Sequence, residues 1–307
     1  MTNYLRVMMG SGGKYLPQAL DGNFIGVNFK IKQDLSNSLP DQWREFNRQF
    51  IPVWMENNPE KSKIAAGLAC GMLWTVAKWL EVDDIVLSPD SNGNYHVGKV
   101  TGGYYYKENE NLPHRRPVTW LEKTIARSDM SDELRHSAGS IGTTSNISQY
   151  REELERLIGG TPPPQIVAND ETIEDPSTFA LEKHLEDFLV TNWSRTALAR
   201  EYNIYKEGEA FGQQFPTDTG NIDILAVSKD KETLLVIELK RGRASDVVVG
   251  QVLRYMGFVK DELAEPDQTV KGLIIAMEDD QRIKRALSAV PNIEYYRYEV
   301  TFKLIKG

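Results

Sequence analysis

The fold class this sequence predicts is α/β (α+β), in two domains, and three observations predict it. Toward the C-terminus, short β-branched runs alternate with amphipathic helical stretches. Toward the N-terminus, turn-separated strands follow two helical stretches. Between them lies an acidic, proline-rich segment with no apolar periodicity. At 307 residues the chain is long enough for two domains, each with its own core. The expected division is residues 1–150, a linker over 151–176, and residues 177–307.

In the first domain, Pro40 to Asn47 and Lys61 to Leu80 read as helices. Strands are expected over Asp84 to Leu87, Tyr95 to Val100 and Val118 to Trp120, with Ser91-Asn92-Gly93-Asn94 as a hairpin turn. The longest apolar stretch, Ile64 to Leu80, includes Gly67, Gly71 and Lys78 and falls short of the roughly 20 residues a membrane span needs. It reads as a buried helix, and no membrane partner is expected. Gly10-Ser11-Gly12-Gly13-Lys14 lacks the spacing of a phosphate loop and a preceding strand run. Tyr150 to Ile158 reads as a short helix closed by Gly159-Gly160; Pro162 to Pro164 and the acidic run Asp170 to Asp175 then make a semi-extended linker.

In the second domain, Ser177 is the N-cap candidate of a helix whose apolar face is Leu181, Leu185, Phe188 and Leu189, with Glu182 and Glu186 on another stripe. Ile222 to Val227 and Leu234 to Leu239 are apolar runs separated by the polar Ser228 to Thr233, a hairpin signal. With Lys229 to Glu232 as the loop, Asp223 opposes Glu238, and opposed Cβ atoms lie about 4.5–5.5 Å apart. Lys240 points to the same face two residues on. Ser245-Asp246 is a candidate cap for a helix from Val247 to about Leu263, with Gln251, Arg254 and Tyr255 on one face. Val270 to Met277 reads as a buried strand, Gln281 to Ala289 as a short helix, and Ile293 to Ile305 as another strand. The order helix, three strands, helix, strand, helix, strand fits a mixed sheet flanked by helices.

Two carboxylates about 4 Å apart repel by roughly 4 kcal/mol at an effective dielectric of 20. Such a pair persists when one acid takes a proton or when cations neutralise both. Carboxylate oxygens suit Mg²⁺, which takes one or two of them and completes its shell with water and phosphate oxygens. The plain alternative is a surface hairpin carrying a cross-strand salt bridge. Against it, Glu238 and Lys240 interrupt an otherwise apolar strand, and the basic Arg241-Gly242-Arg243 follows.

Asp223 followed by Glu238-Leu239-Lys240 resembles the PD-(D/E)xK nuclease signature. The longer string IELKRGRASDVVVGQVLRYMGFVKDEL is similar to the catalytic domain of NucS-type endonucleases, a match running from about Ser177 to Gly307. Ile222 stands where many members of the superfamily have proline, as in NucS-type sequences. The resemblance implies a restriction-endonuclease-like sheet and Mg²⁺ (with Mn²⁺ able to substitute) held by Asp223, Glu238 and the Leu239 carbonyl. It implies a further ligand on the first helix, Glu182 ahead of Glu186, and a water oriented by Lys240 and Gln251. It places Arg254 and Tyr255 near the scissile phosphate, with core packing the alternative for Tyr255; Arg241 and Arg243, a basic turn beside the acids, are expected to bind nucleic acid.

The net charge of −8 is unevenly spread: zero over residues 1–150, −5 over 151–176 and −3 over 177–307. Local patches decide phosphate binding, so the total does not exclude DNA as partner. A single Cys70 excludes a disulfide framework and a cysteine-based zinc site and points to a reducing, cytoplasmic setting. Met1 to Gly13 lacks the pattern of a signal peptide. The four histidines show no ligand spacing.

The string from Asp83 to Trp120 resembles the PUA-like small barrels fused to Mrr-type restriction nucleases, over roughly residues 80–140. That resemblance implies an aromatic-lined pocket for a flipped base. Tyr104, Tyr105, Tyr106 and Trp120 would line it, with Arg115 and Arg116 on phosphates; ordinary core packing is the alternative. The first functional expectation is a modification-dependent DNA endonuclease of prokaryotic defence, as a homodimer if it cuts both strands. The second is a nuclease licensed by a small signalling nucleotide at the N-terminal domain. The third is a non-catalytic DNA-binding module.

Overall fold

The computed structural model describes residues 2–140, 142–159, 185–207, 210–244, 246–278 and 281–299. The chain divides into two compact units, 1–168 and 169–307.

The N-terminal unit is built on one mixed sheet. Its strands are β1 (Tyr4–Val7), β2 (Phe24–Val27), β3 (Ile85–Pro89), β4 (Asn94–Val100), β5 (Tyr105–Tyr106), β6 (His114–Ala126) and β7 (Thr144–Asn146). They run in the order β2-β6-β4-β3-β1-β7, with β5 also on β6. Among the described residues no ladder joins β7 to β2, so backbone pairing does not close this sheet into the expected barrel. β3 and β4 form the expected hairpin, tightened by Asp90 Oδ1, which accepts from Asn92 N and Asn94 N, each at 2.8 Å. A strand that composition did not suggest, β1, does precede the Gly10–Lys14 loop, and α1 (Leu16–Asp21) follows it.

Two helices cover the sheet, α2 (Trp43–Glu56) and α3 (Lys63–Trp74). The first runs past the expected end at Asn47, with Pro52 inside it. Phe46, Phe50, Ile51 and Trp54 hold it to the core, and this burial outweighs the cost of a proline. The second is capped by Ser62, whose Oγ accepts from Ala65 N at 3.2 Å. It is buried from Ile64 through Gly71, which explains its unbroken apolar sequence. It ends in a π turn over Thr75–Trp79. No described helix is long and apolar enough to cross a membrane. Cys70 is buried.

α4 (Asp132–Ala138) and α5 (Arg151–Ile158) complete this unit. The linker was expected to start at residue 151, but α5 is docked: Leu154 is fully buried, and Tyr4 Oη donates to Glu155 Oε1 at 2.9 Å. The proline-rich and acidic run that follows lies outside the described residues.

In the C-terminal unit, the helix α6 (185–191) precedes β8 (Tyr202–Ile204), β9 (Lys206–Glu207), β10 (Ala210–Phe211), β11 (Gln213–Thr217), β12 (Gly220–Ser228) and β13 (Thr233–Arg243). Then come α7 (Val247–Phe258), β14 (Thr269–Glu278), α8 (Gln281–Ser288) and β15 (Ile293–Arg297). The main sheet runs β11-β12-β13-β14-β15, antiparallel through β13 and parallel beyond it. Ile224, Ala226, Ile237, Leu239, Leu273 and Ile275 face one core, with Leu185 and Leu189 of α6 packed against it. Phe188, expected on the same helical face, is 64% exposed. α7 packs on β13 and β14; a Cβ at Gly272 would lie 2.6 Å from Val252 Cγ1, so a side chain there would push the helix off the sheet. β13 is thus covered on both faces, which accounts for its uninterrupted Leu-Leu-Val-Ile. The expected Asp246 cap is not made by its side chain, and β15 ends at Arg297.

Candidate active site

The β12–β13 ladder pairs Val227 with Leu234 and Ile224 with Ile237, the register that sets Asp223 across from Glu238. Thr233 N donates to Ser228 Oγ at 2.9 Å and closes the loop at the expected place. Regular pairing stops at Ile224. One step further, the Asp223 carboxylate replaces the backbone as acceptor, taking the Leu239 N–H at 2.8 Å through Oδ2. This bond fixes the acid against its neighbouring strand.

Glu238 is 2% exposed. Its Oε1 accepts from Gln251 Nε2 at 2.6 Å and lies 3.5 Å from Lys240 Nζ. A buried carboxylate requires such partners, because desolvating it alone would cost several kcal/mol. α7 delivers Gln251 because it lies over this face of the sheet. Tyr255, one turn further, is 4% exposed and packs over Gly220, whose φ of +140° and lack of a side chain admit the phenol; a Cβ there would sit 2.6 Å from Tyr255 Oη. Burial pushes the Tyr255 pKa up, Glu238 and Asp223 add to the shift, and a hydrogen bond with Gln251 and the charge of Arg254 oppose it. It is a neutral phenol beside two acids.

Residues 181–300 match the family model of the endonuclease NucS C-terminal domain. Over these residues the chain is similar to a NucS-type nuclease domain. Residues 11–144 match a second model, described only as a domain of unknown function (DUF8426). Among solved structures, a repair endonuclease from Pyrococcus abyssi is similar at 15% identity and a TM-score of 0.31, over 70% of this chain and 65% of that one. An EndoMS–dsDNA complex gives 14% identity and a TM-score of 0.32, over 71% and 66%. EndoMS in apo form gives 16% and 0.31, over 71% and 79%. The chain therefore spans just under two thirds of the length of the first two. No curated protein matches it.

The C-terminal unit gathers more than the sequence suggested. Of the two helical acids, Glu182 lies outside the described residues, while Glu186 is 2% exposed and tied to the site. Gln213 Nε2 donates to Glu186 Oε1 at 2.7 Å and to Asp187 Oδ1 at 2.8 Å. Gln214 Nε2 donates to Glu186 Oε2, and also to Asp223 Oδ1 at 3.2 Å. Both glutamines were missed because neutral amides carry no motif; the one available signal is a Gln-Gln pair in the strand preceding Asp223. Arg254 is exposed on α7 beside this cluster, and the side chains of Arg241 and Arg243 are not among those described.

Among the described residues, no three His, Cys, Asp or Glu side chains are gathered closely enough to form a ready cage for an ion. The donor set still fits Mg²⁺, which needs one or two carboxylates and fills the rest of its shell with water and phosphate oxygens. Asp223 and Glu238 are the residues that would hold it.

The N-terminal residues do not assemble as expected. Arg115 and Arg116, proposed as phosphate contacts, are 6% and 7% exposed. Arg115 stacks on Phe24, 3.8 Å from the ring centroid, and its Nε donates to Leu112 O at 2.6 Å. Arg116 reaches the π turn, donating from Nε to Val76 O and from Nη2 to Ala77 O, each at 2.9 Å. The helix end supplies carbonyls to Arg116, while Phe24 and Leu112 O hold Arg115, so both guanidinium groups are turned into the unit. Trp120 packs over Gly98 and donates from Nε1 to Ala19 O at 3.1 Å, whereas Tyr104 and Tyr106 flank His114. Tyr104, Tyr105 and Trp120 all pack against the main core. Tyr106 is not part of that core and lies against His114, 5.2 Å between ring centroids.

Proposed function

We propose that this chain is a metal-dependent DNA endonuclease whose N-terminal unit selects the DNA to be cut, as in modification-dependent restriction in prokaryotic defence. The observation that carries the reading is the convergence of Asp223, Glu238, Lys240 and Gln251 on one face of a hairpin, within residues that match the NucS nuclease domain. The selector role rests on the fusion of a separately folded unit to that domain. It no longer rests on an aromatic base pocket or on Arg115 and Arg116.

Bound Mg²⁺ or Mn²⁺ would polarise the phosphodiester and lower the pKa of a water. Asp223 and Glu238 would hold the ion, with the Leu239 carbonyl as a third oxygen. Gln251 keeps Glu238 turned toward the site. Lys240 orients the attacking water and offsets charge growing on the phosphorus. Tyr255, still protonated, can donate to a phosphate oxygen. Arg241, Arg243 and Arg254 steady the backbone of the bound strand. Cutting both strands takes two such sites, so a homodimer belongs to the proposal.

The test is digestion of matched DNAs (unmodified, methylated, hydroxymethylated and mismatched) with Mg²⁺ or Mn²⁺. Cutting that needs the ion and is lost in Glu238→Ala is the expected result. Cleavage by a Glu238→Ala preparation cleared of contaminating nuclease would contradict the assignment.

A further inference from the structure

Gln213 and Gln214 are consecutive strand residues, and in a regular strand their side chains would leave opposite faces of the sheet. Here both reach one carboxylate, that of Glu186. The backbone explains the exception. Gln214 lies at φ +49°, in the left-handed region that residues other than glycine rarely adopt, and this breaks the alternation. Strain of this kind persists where the surroundings impose it, and it clusters at working sites.

The nitrogen that Gln214 offers to Glu186 also lies 3.2 Å from Asp223 Oδ1. Asn221 Nδ2, at 3.5 Å from Gln214 Oε1, turns the amide so that its nitrogen faces the acids. A neutral NH₂ group thus stands between two carboxylates and donates to each. Such a group is the weak, uncharged counterpart of a cation. An ion shared by Asp223 and Glu186 would have to displace it.

We infer that Gln214 is a positioning residue that stands in for the cation in the metal-free protein, and that its side chain leaves when the ion binds, freeing Glu186 to join Asp223 and Glu238. This rests on the metal-dependent reading above. The side chain would then stabilise the empty site and oppose filling of it.

The experiment is calorimetric titration of Mn²⁺ into the full-length wild type, Gln214→Ala and Gln214→Met, without DNA. Melting temperatures are recorded in chelator and in Mn²⁺. The expected result is that both variants melt below the wild type in chelator, bind Mn²⁺ at least threefold more tightly, and gain more melting temperature from the metal. Methionine keeps the length of the side chain without its donor, so the test survives if the alanine variant does not fold. A side chain that only holds the fold would lower the melting temperature equally with and without metal. Equal losses, with affinity unchanged or weaker, overturn the inference and leave the metal-dependent reading standing. A wild type that binds no Mn²⁺ and gains no thermal stability from it sinks both.

Discussion

Glu238 is the most constrained acid of the hairpin, held by an amide and an ammonium in a buried setting. Glu238→Gln keeps its volume, so it should abolish cutting while shifting the melting temperature by no more than about 4 °C, the effect of roughly 1 kcal/mol in a domain of this size. Lys240→Met should lower the cutting rate by roughly 10²–10³-fold, the range for losing a donor that stabilises charge growing in the transition state. Gel-based rates and thermal melts on the same preparations check both. A different residue sets the acid limit of the N-terminal unit. His114 Nε2 lies 2.8 Å from Ile31 O, which can only accept, so Nε2 carries the proton. Nδ1, at 2.9 Å from Tyr104 Oη, then accepts. Burial depresses the His114 pKa to about 4. The folded unit therefore binds fewer protons than the unfolded chain between about pH 4 and 6.5. Stability is intact above that window and falls through it by roughly 3 kcal/mol. Denaturant melts from pH 7 to 4 should show this loss, and His114→Gln should flatten it.

The hairpin was legible because its information is local: two β-branched runs, a polar loop and an even spacing put Asp223, Glu238 and Lys240 on one face. α7 was legible for the same reason, whereas Gln251 was assigned to the site by the family resemblance and lies against Glu238. What could not be read depends on partners distant in sequence. Gln213 and Gln214 belong to the site only because β11 pairs with β12 and α6 lies nearby. Arg115 and Arg116 have the charge of surface residues, and nothing local reveals that a π turn some 40 positions earlier offers carbonyls to one of them. That turn supplies a prediction. Arg116→Met keeps much of the apolar stem but strands the Val76 and Ala77 carbonyls, so the N-terminal unit should lose about 3 kcal/mol. Its denaturant midpoint should drop while the salt dependence of DNA binding stays as in the wild type, the reverse of what removal of a phosphate contact would give.

Each unit has a core of its own, and the N-terminal one extends through α5. Ser131 donates to Glu153 from both N and Oγ, at 2.6 and 2.7 Å, and Leu154 is fully buried. A fragment covering residues 1–159 should therefore unfold cooperatively. One cut at residue 150 should be less stable by at least about 1.5–3 kcal/mol, the worth of one buried leucine, as equilibrium denaturation would show. Composition alone set the boundary too early because the helix is short and charged on its outer face.

Asp223 has two employments, since its side chain also completes the pairing of β13 at Leu239. Alanine there would unstitch a strand as well as remove an acid, and a loss of cutting would be read wrongly as chemistry alone. Asparagine retains an oxygen for that N–H while discarding the negative charge. For trapping an inert copy of the protein on its target, Asp223→Asn is the cleaner decoy.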